Sequence, residues 1–336
     1  MKKYLFLFVS LTLYGCPKGS DEPIAPTESK EGQIKNWATA VEFEQVSIAN
    51  GIFGYKDIVF HENTAALLDS ENRIYYSYDQ GKTWQEKVKI PATTLQCIAL
   101  KPDGEKLFIG GVSQGPYTFG AQFWVFHTPK SGTATLDYNK LAELSQLSEP
   151  INHDFQRASW NNDGSVYATF GRSNYTDGFF GNIVPDGRNI FMLRSPSHSR
   201  INDKTPTKAP THYAGFYINN SSEHTVICGY EYVPSAKMNI IKPYQSANKG
   251  ILNSWFSLAL YWGDADLVYH MGQDPKGKHI IYVSQTDRLY YDGKYAITYK
   301  NIQGDLLCAA VDTNNFLWIG TSRGVFKSKN VIPNFN

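Results

Sequence analysis

Ser77-Tyr78-Asp79-Gln80-Gly81-Lys82-Thr83-Trp84 follows directly on the apolar run Ile74-Tyr75-Tyr76 and reads S-x-D-x-G-x-T-W. Each defined position has a mechanical use in a tight hairpin. Ser77 and Asp79 carry short acceptors that bond nearby backbone amides. Gly81 takes a conformation costly for other residues, and Trp84 is a large apolar anchor that needs a neighbour to pack on. The stretch therefore predicts a β-hairpin whose turn is structural, with Asp79 serving the turn and not acid catalysis.

Outward from this hairpin the same grammar repeats: an apolar strand, a polar tight turn, a second apolar strand. The units are 58–60 and 65–68 around Glu62-Asn63, 97–100 and 107–109 around Asp103-Gly104, and 158–160 and 166–170 around Asp163-Gly164. Then come 215–218 and 225–228 around Asn219-Asn220, 267–271 and 280–283 around Pro275-Lys276-Gly277, and 308–311 and 316–319 around Asn314-Asn315. Asn, Asp and Gly pairs supply the positive φ that hairpin turns demand. Segments 123–126, 190–193, 238–241, 289–291 and 325–327 read as third strands. Asp292-Gly293 is a turn into a fourth strand at 295–299. Successive turns lie about 40 to 60 residues apart, the period of four-stranded propeller blades. The final repeat stops one strand short. Residues 41–48, with alternating Val41, Phe43 and Val46, can supply it from the N-terminal side and leave no open edge. The expected fold is all-β: a six-bladed propeller spanning 37–336.

The Ser77–Trp84 phrase resembles the Asp-box (BNR) hairpin of sialidase-like β-propellers, with Ser77, Asp79, Gly81, Thr83 and Trp84 at the defining positions. Worn copies stand where other third strands end: Ser246-Ala247-Asn248-Lys249-Gly250 keeps three positions, and Thr128 with Gly132 keeps two. Trp318-Ile319-Gly320-Thr321 with Gly324-Val325-Phe326 resembles a strand phrase of regulator-type sensor propellers. The resemblance implies that the Asp box lies between third and fourth strands, on the face opposite the usual pocket, with Trp84 packed between blades.

The chain opens with Lys2 and Lys3, then an apolar segment over 4–13, too short to span a bilayer. Leu13-Tyr14-Gly15-Cys16 resembles a bacterial lipobox. That resemblance implies a signal peptide over 1–15, lipid on Cys16 and a membrane anchor in the envelope, at the outer membrane. An ordinary secretory signal with an incidental Cys16 is the other reading; both take the mature chain out of the cytosol. Residues 16–36 are polar and rich in chain breakers, a tether with a reach of roughly 25 Å. Ser20-Asp21-Glu22 resembles the surface-export signals of Bacteroidetes lipoproteins.

Composition excludes several classes. Without Lys2 and Lys3, 30 basic residues face 31 acidic ones, so no basic stripe exists for nucleic acid. Aromatics make up 14% of the chain with 22 Tyr against 4 Met, which favours strands over helix bundles. Besides Cys16 the cysteines are Cys97, Cys228 and Cys308, an odd set that forbids full pairing. Leu95-Gln96-Cys97-Ile98 and Leu306-Leu307-Cys308-Ala309 place two of them alike in two repeats, as buried thiols. The eight His are scattered without metal-ligand spacing, and no phosphate loop or G-x-S-x-G elbow occurs, so no metal or cofactor is expected.

Pocket-face loops join second to third strands and each fourth strand to the next blade's first. Three read as long. Residues 111–120 carry Tyr117 and Phe119; 172–188 carry Asn174, Tyr175, Asp177, Phe179 and Phe180; 229–235 carry Tyr230, Glu231 and Tyr232. Long loops on a rigid scaffold are where binding concentrates. Arg157, Arg172, Arg288 and Arg323 fall near strand ends and could face the axis. A sialidase, by resemblance, needs an arginine triad, a Tyr–Glu pair and an Asp acid/base, and usually an R-I-P near the first strand; here R-I-P is missing. Glycoside hydrolysis needs two carboxyl groups flanking one bond, and Asp154, Asp177, Glu231, Asp264 and Asp266 show no pairing signal. The expected function is an envelope lipoprotein binding a glycan or a partner protein without catalysis; the alternative is a sialidase-like glycoside hydrolase.

Overall fold

Short apolar runs flanked by turn residues become strands that are buried on both faces near the ring's middle and half-exposed at its rim. The computed structural model describes residues 39–48, 54–90, 94–115, 118–130, 132–144, 154–161, 164–171, 179–183, 190–193, 212–219, 224–233, 238–246, 255–257, 268–273, 280–284, 287–291 and 295–332. After β1 (Val41–Val46), the first sheet is β2 (Tyr55–His61), β3 (Thr64–Asp69), β4 (Arg73–Ser77) and β5 (Gln85–Lys89). The second is β6 (Thr94–Leu100), β7 (Lys106–Gly115), β8 (Thr118–His127) and β9 (Thr135–Leu141). A short β10 (Glu143–Leu144) precedes the third sheet of β11 (Asp154–Trp160), β12 (Val166–Gly171), β13 (Phe179–Ile183) and β14 (Ile190–Leu193). The fourth sheet is β15 (His212–Asn219), β16 (His224–Val233), β17 (Met238–Ser246) and β18 (Trp255–Ser257). The fifth is β19 (Val268–Gln273), β20 (Ile280–Ser284), β21 (Leu289–Tyr291) and β22 (Tyr295–Ile297). After β23 (Tyr299–Lys300), the sixth contains β24 (Leu306–Val311), β25 (Phe316–Thr321) and β26 (Gly324–Val331).

The first strands touch in cyclic order, β2 to β6, β11, β15, β19, β24 and back to β2. Apolar cores lie between successive sheets. Ala66, Leu68, Ile98 and Ile109 pack between the first and second; Cys97, Phe108, Phe155 and Phe170 between the second and third. Leu289, Ile297, Leu306 and Ile319 pack between the fifth and sixth, and Tyr55, Tyr75, Cys308 and Trp318 between the sixth and first. This explains the strand patterns. In β3 and β4 every residue is buried, because a neighbouring sheet covers each face, whereas the outer β5 buries only Val88 fully.

β1 completes the sixth sheet. It runs antiparallel to β26 in the register Phe43↔Ser328, Gln45↔Phe326 and Val46↔Val325. Its outer edge is covered in turn by β23, parallel to it through Val41↔Tyr299. β10 lies on β14 in the same parallel fashion. In both places a chain leaving one sheet's outer strand covers the edge of the next.

Four readings are corrected. Residues 190–193 form the fourth strand of the third sheet, and the third strand is β13. Most of 111–120 is ladder, through Ser113↔Gly120, Gln114↔Phe119 and Gly115↔Thr118; Gly, Ser and Pro there suggest a loop, but the facing strand is strand-prone and extends the pairing. Likewise Tyr230↔Ile241 and Tyr232↔Asn239 place 229–233 in β16. Tyr299 belongs to β23, so the fourth strand of the fifth sheet ends at Ile297. The hairpin turns that open the first, second, third and sixth sheets have positive φ at Glu62, Gly104, Gly164 and Asn315.

Candidate functional site

At the seam between the sixth and first sheets, the turn from β25 to β26 lies beside Ser47 and Ile48, which follow β1. They enclose a groove of about 360 Å³ lined by Gln45, Val46, Ser47, Ile48, Tyr55, Arg323, Gly324 and Val325. The turn is held by the buried Thr321, whose hydroxyl accepts from Arg323 N (3.0 Å) and donates to Gln303 O (2.7 Å). Ser322 N donates to Asp305 O (3.0 Å), and Asp305 N to Ser322 Oγ (2.9 Å), which fixes the turn on the preceding loop. Arg323 is exposed. A Cβ on Gly324 would stand 2.8 Å from Gln45 Nε2, so this glycine makes the room in which the amide lies.

Beside the groove, Asp69 is fully buried and saturated. Oδ1 accepts from Glu71 N (2.9 Å) and Arg73 N (2.8 Å); Oδ2 accepts from Arg73 Nε (2.7 Å) and Tyr75 Oη (3.3 Å). Burial, reinforced by the Asp69 charge, pushes the Tyr55 hydroxyl up to about 12. The same two causes raise Tyr75. Burial lowers Lys56, whose Nζ donates to Leu95 O of the second sheet (3.0 Å).

Towards the axis, every first strand has a register shift near its start. The extra residues are Lys56, Gln96, Gln156, Ala214, Tyr269 and Leu307. After them come Asp57, Cys97, Arg157, Gly215, His270 and Cys308. Asp57 ties two sheets together: Oδ1 accepts from Ile58 N (3.0 Å) and Oδ2 from Ile98 N of the second sheet (2.9 Å). Burial pushes the thiols of Cys97 and Cys308 up, Asp57 adds to the rise, and Arg157 opposes it. Cys308 Sγ donates to Tyr55 O (3.3 Å). No group of three metal-ligating side chains occurs among the described residues.

On the opposite face, Ser77 Oγ donates to Asp79 Oδ1 (2.7 Å) and accepts from Gly81 N (2.8 Å). Asp79 also accepts from Thr83 N (2.9 Å) and Thr83 Oγ1 (2.7 Å). Burial pushes its carboxyl up, but these bonds outweigh it and hold it below the usual carboxylate range. Trp84 Nε1 donates to Gly81 O (3.0 Å). The corresponding hairpin of the second sheet touches this one through Tyr78 Oη to Pro129 O (2.9 Å) and Lys87 Nζ to Gly132 O (3.1 Å).

Of the candidate arginines, Arg157 lies on β11 and donates to Gln156 O (2.5 Å). Arg288, exposed, precedes β21 and donates to Tyr290 Oη (3.4 Å). Among the described residues, Arg323 is the arginine that lines the seam groove. Phe119 falls in β8, and Tyr230 and Tyr232 in β16. Cys16, Tyr117, Arg172, Asn174, Tyr175 and Asp177 lie outside the described residues. Sequence reasoning missed Gln45, Ser47 and Tyr55. Their only signal was the reading of 41–48 as a closing strand, whose end must then meet the 321–324 turn.

No protein-family model matches the sequence, and no curated protein matches it. Solved structures do. The WD40 β-propeller domain of Doa1 superposes with a TM-score of 0.51 at 11% identity, over 84% of this chain and 96% of that one. Glucose dehydrogenase superposes with a TM-score of 0.53 at 10% identity, over 85% and 98%. The β-propeller domain of Cps50 (Swd1) from Myceliophteria thermophila gives 0.50 at 10% identity, over 85% and 98%. The protein is a β-propeller. At these identities the likeness defines the fold and leaves the activity to be argued from the site.

Proposed function

We propose that this chain is a noncatalytic binding module: a six-bladed propeller of Asp-box type, tethered to the bacterial envelope by lipid on Cys16. It binds a glycan or an envelope protein on the face that holds the seam groove. The observation that carries this reading is how four carboxylates among the described residues, three buried and one half-buried, are used. Asp57, Asp69, Asp79 and Asp312 each accept from backbone amides, and so cap turns or join sheets. Glycoside hydrolysis asks for a pair of carboxyl groups facing one bond, and these four are committed elsewhere. The groove instead offers a guanidinium, an amide and hydroxyls, the vocabulary of recognition.

The test is a binding screen of the full chain on immobilised glycans and envelope extract, run beside a fluorogenic sialoside. Retention without turnover is the expected result. Release of sialic acid would replace this reading with the hydrolase. The anchor is tested separately: Cys16→Ser should move the protein from the membrane fraction to the soluble one, and unchanged fractionation would refute lipidation.

A further inference from the structure

We infer that the seam groove is a subsite for a carboxylate-bearing sugar, a uronate-type unit of an acidic glycan, with Arg323 meeting the carboxylate. This rests on the binding reading above and narrows it. Three observations support it.

The first is an exposed cation on a fixed turn. Arg323 N bonds Thr321 Oγ1, while the guanidinium makes no ion pair or hydrogen bond with the described residues. No acidic residue is among the groove's described lining. The nearby Asp69 is already paired with Arg73 (2.7 Å) and does not compete. A guanidinium fork matches a carboxylate in two parallel hydrogen bonds.

The second is a set of neutral hydrogen-bonding groups beside that cation. Tyr55, only 1% exposed, is among the lining residues and packs into the core shared by the sixth and first sheets. Gln45, seated over Gly324, and Ser47 add an amide and a hydroxyl. One charge among several neutral groups fits a ligand with one carboxylate and several hydroxyls. A phosphate would call for more positive charge.

The third is size and wall chemistry. About 360 Å³ is at the small end of ligand pockets, enough for one or two sugar rings. The half-buried Val46 and Ile48 add apolar surface that suits the C–H face of a pyranose.

The experiment titrates the full chain with trigalacturonate and with its neutral methyl ester, for wild type, Arg323→Gln and Gly324→Ala, after melting curves confirm that each variant is folded. Wild type should prefer the acid form by about tenfold or more, as a charge-assisted bond implies. The preference should shrink as salt rises from about 50 to about 500 mM. Arg323→Gln should abolish it, and Gly324→Ala, which displaces the Gln45 amide, should weaken binding of both forms. Equal affinity of wild type for acid and ester, or an unchanged preference in Arg323→Gln, would overturn the inference. Retention of neutral glycans or of a protein alone, insensitive to Arg323, would also overturn it while leaving the broader binding reading standing.

Discussion

Trp84 and Trp318 meet edge to face across the seam between the first and sixth sheets, with ring centroids 6.3 Å apart and planes at 72°. Each ring is anchored by its own sheet: Trp84 Nε1 on Gly81 O, Trp318 Nε1 on Asp312 Oδ2 (2.8 Å). Gly81, at φ +80°, lies so close that a Cβ there would stand 2.5 Å from Trp318 Cη2. The two most distinctive phrases of the sequence thus form one joint, and it holds the sheet completed by β1 against the sheet that begins the ring.

That joint sets the first prediction. Trp318 is 1% exposed, so Trp318→Ala should lower stability by about 3–5 kcal/mol, the usual range for a large aromatic removed from a core. Gly81→Ala combines a strained φ with a contact the Trp318 ring cannot relieve without moving, and should be destabilising too. Thermal melts followed by near-ultraviolet circular dichroism read both. A Trp318→Ala melt that overlays the wild type would refute the seam's role.

The second prediction concerns closure. Phe43 is 1% exposed within the core shared by the fifth and sixth sheets, and β1 is hydrogen-bonded on both edges. Removing residues 37–50 should uncover the edge of β26 and take away much of the stability. Removing 17–34, a polar stretch rich in Pro, Gly and Ser, should leave the melting temperature almost unchanged. Phe43→Ala should fall between them. Equal melting temperatures for the two truncations would show that β1 is dispensable.

The repeating fold was legible because local chemistry announces it. Glu62, Gly104, Gly164 and Asn315, inside the expected turn pairs, all have positive φ, and the missing last strand pointed to 41–48. Composition misled at 111–120 and 229–233, where pairing partners decide strand against loop and a single segment does not reveal them. The extra residue in each first strand has no local mark: Lys56, Gln96, Gln156, Ala214, Tyr269 and Leu307 share no property. The seam groove was hidden for a different reason. Gln45 and Gly324 come from opposite ends of the chain, and only the antiparallel register of β1 on β26 brings them together.

The third prediction is a pH dependence at the Ser77–Trp84 turn. Asp79 has its folded-state pKa held below the ordinary value, with hydrogen bonds from Thr83 and Ser77 outweighing burial. A depressed carboxylate contributes stability that is present above the unfolded pKa, about 4, and is lost as pH falls through the folded value. Asp79→Asn keeps the shape and removes the charge. It should melt below wild type at neutral pH, and the gap should narrow in acid. A gap that stays constant from neutral pH down through the acid range would mean that the charge contributes nothing.

The last prediction uses the two thiols on the first strands. Cys97 and Cys308 are fully buried, and burial pushes both pKa values up, so little thiolate exists to react. Native protein exposed to iodoacetamide should show neither site alkylated by peptide mass mapping, while denatured protein should show both. Gly320→Ala then separates local from global protection. Its methyl would stand 2.4 Å from Cys308 Sγ and 2.9 Å from Tyr55 O, so the sixth sheet must shift where it meets β2, at a cost of about 1–3 kcal/mol. Cys308 should then label faster. Cys97 lies on the second sheet, beyond the intervening first, and should stay protected if the seam loosens by itself. Equal acceleration at both thiols would mean that the ring opens as one cooperative unit, and alkylation of Cys308 in native wild type at the denatured rate would contradict the packing of β24 against β2.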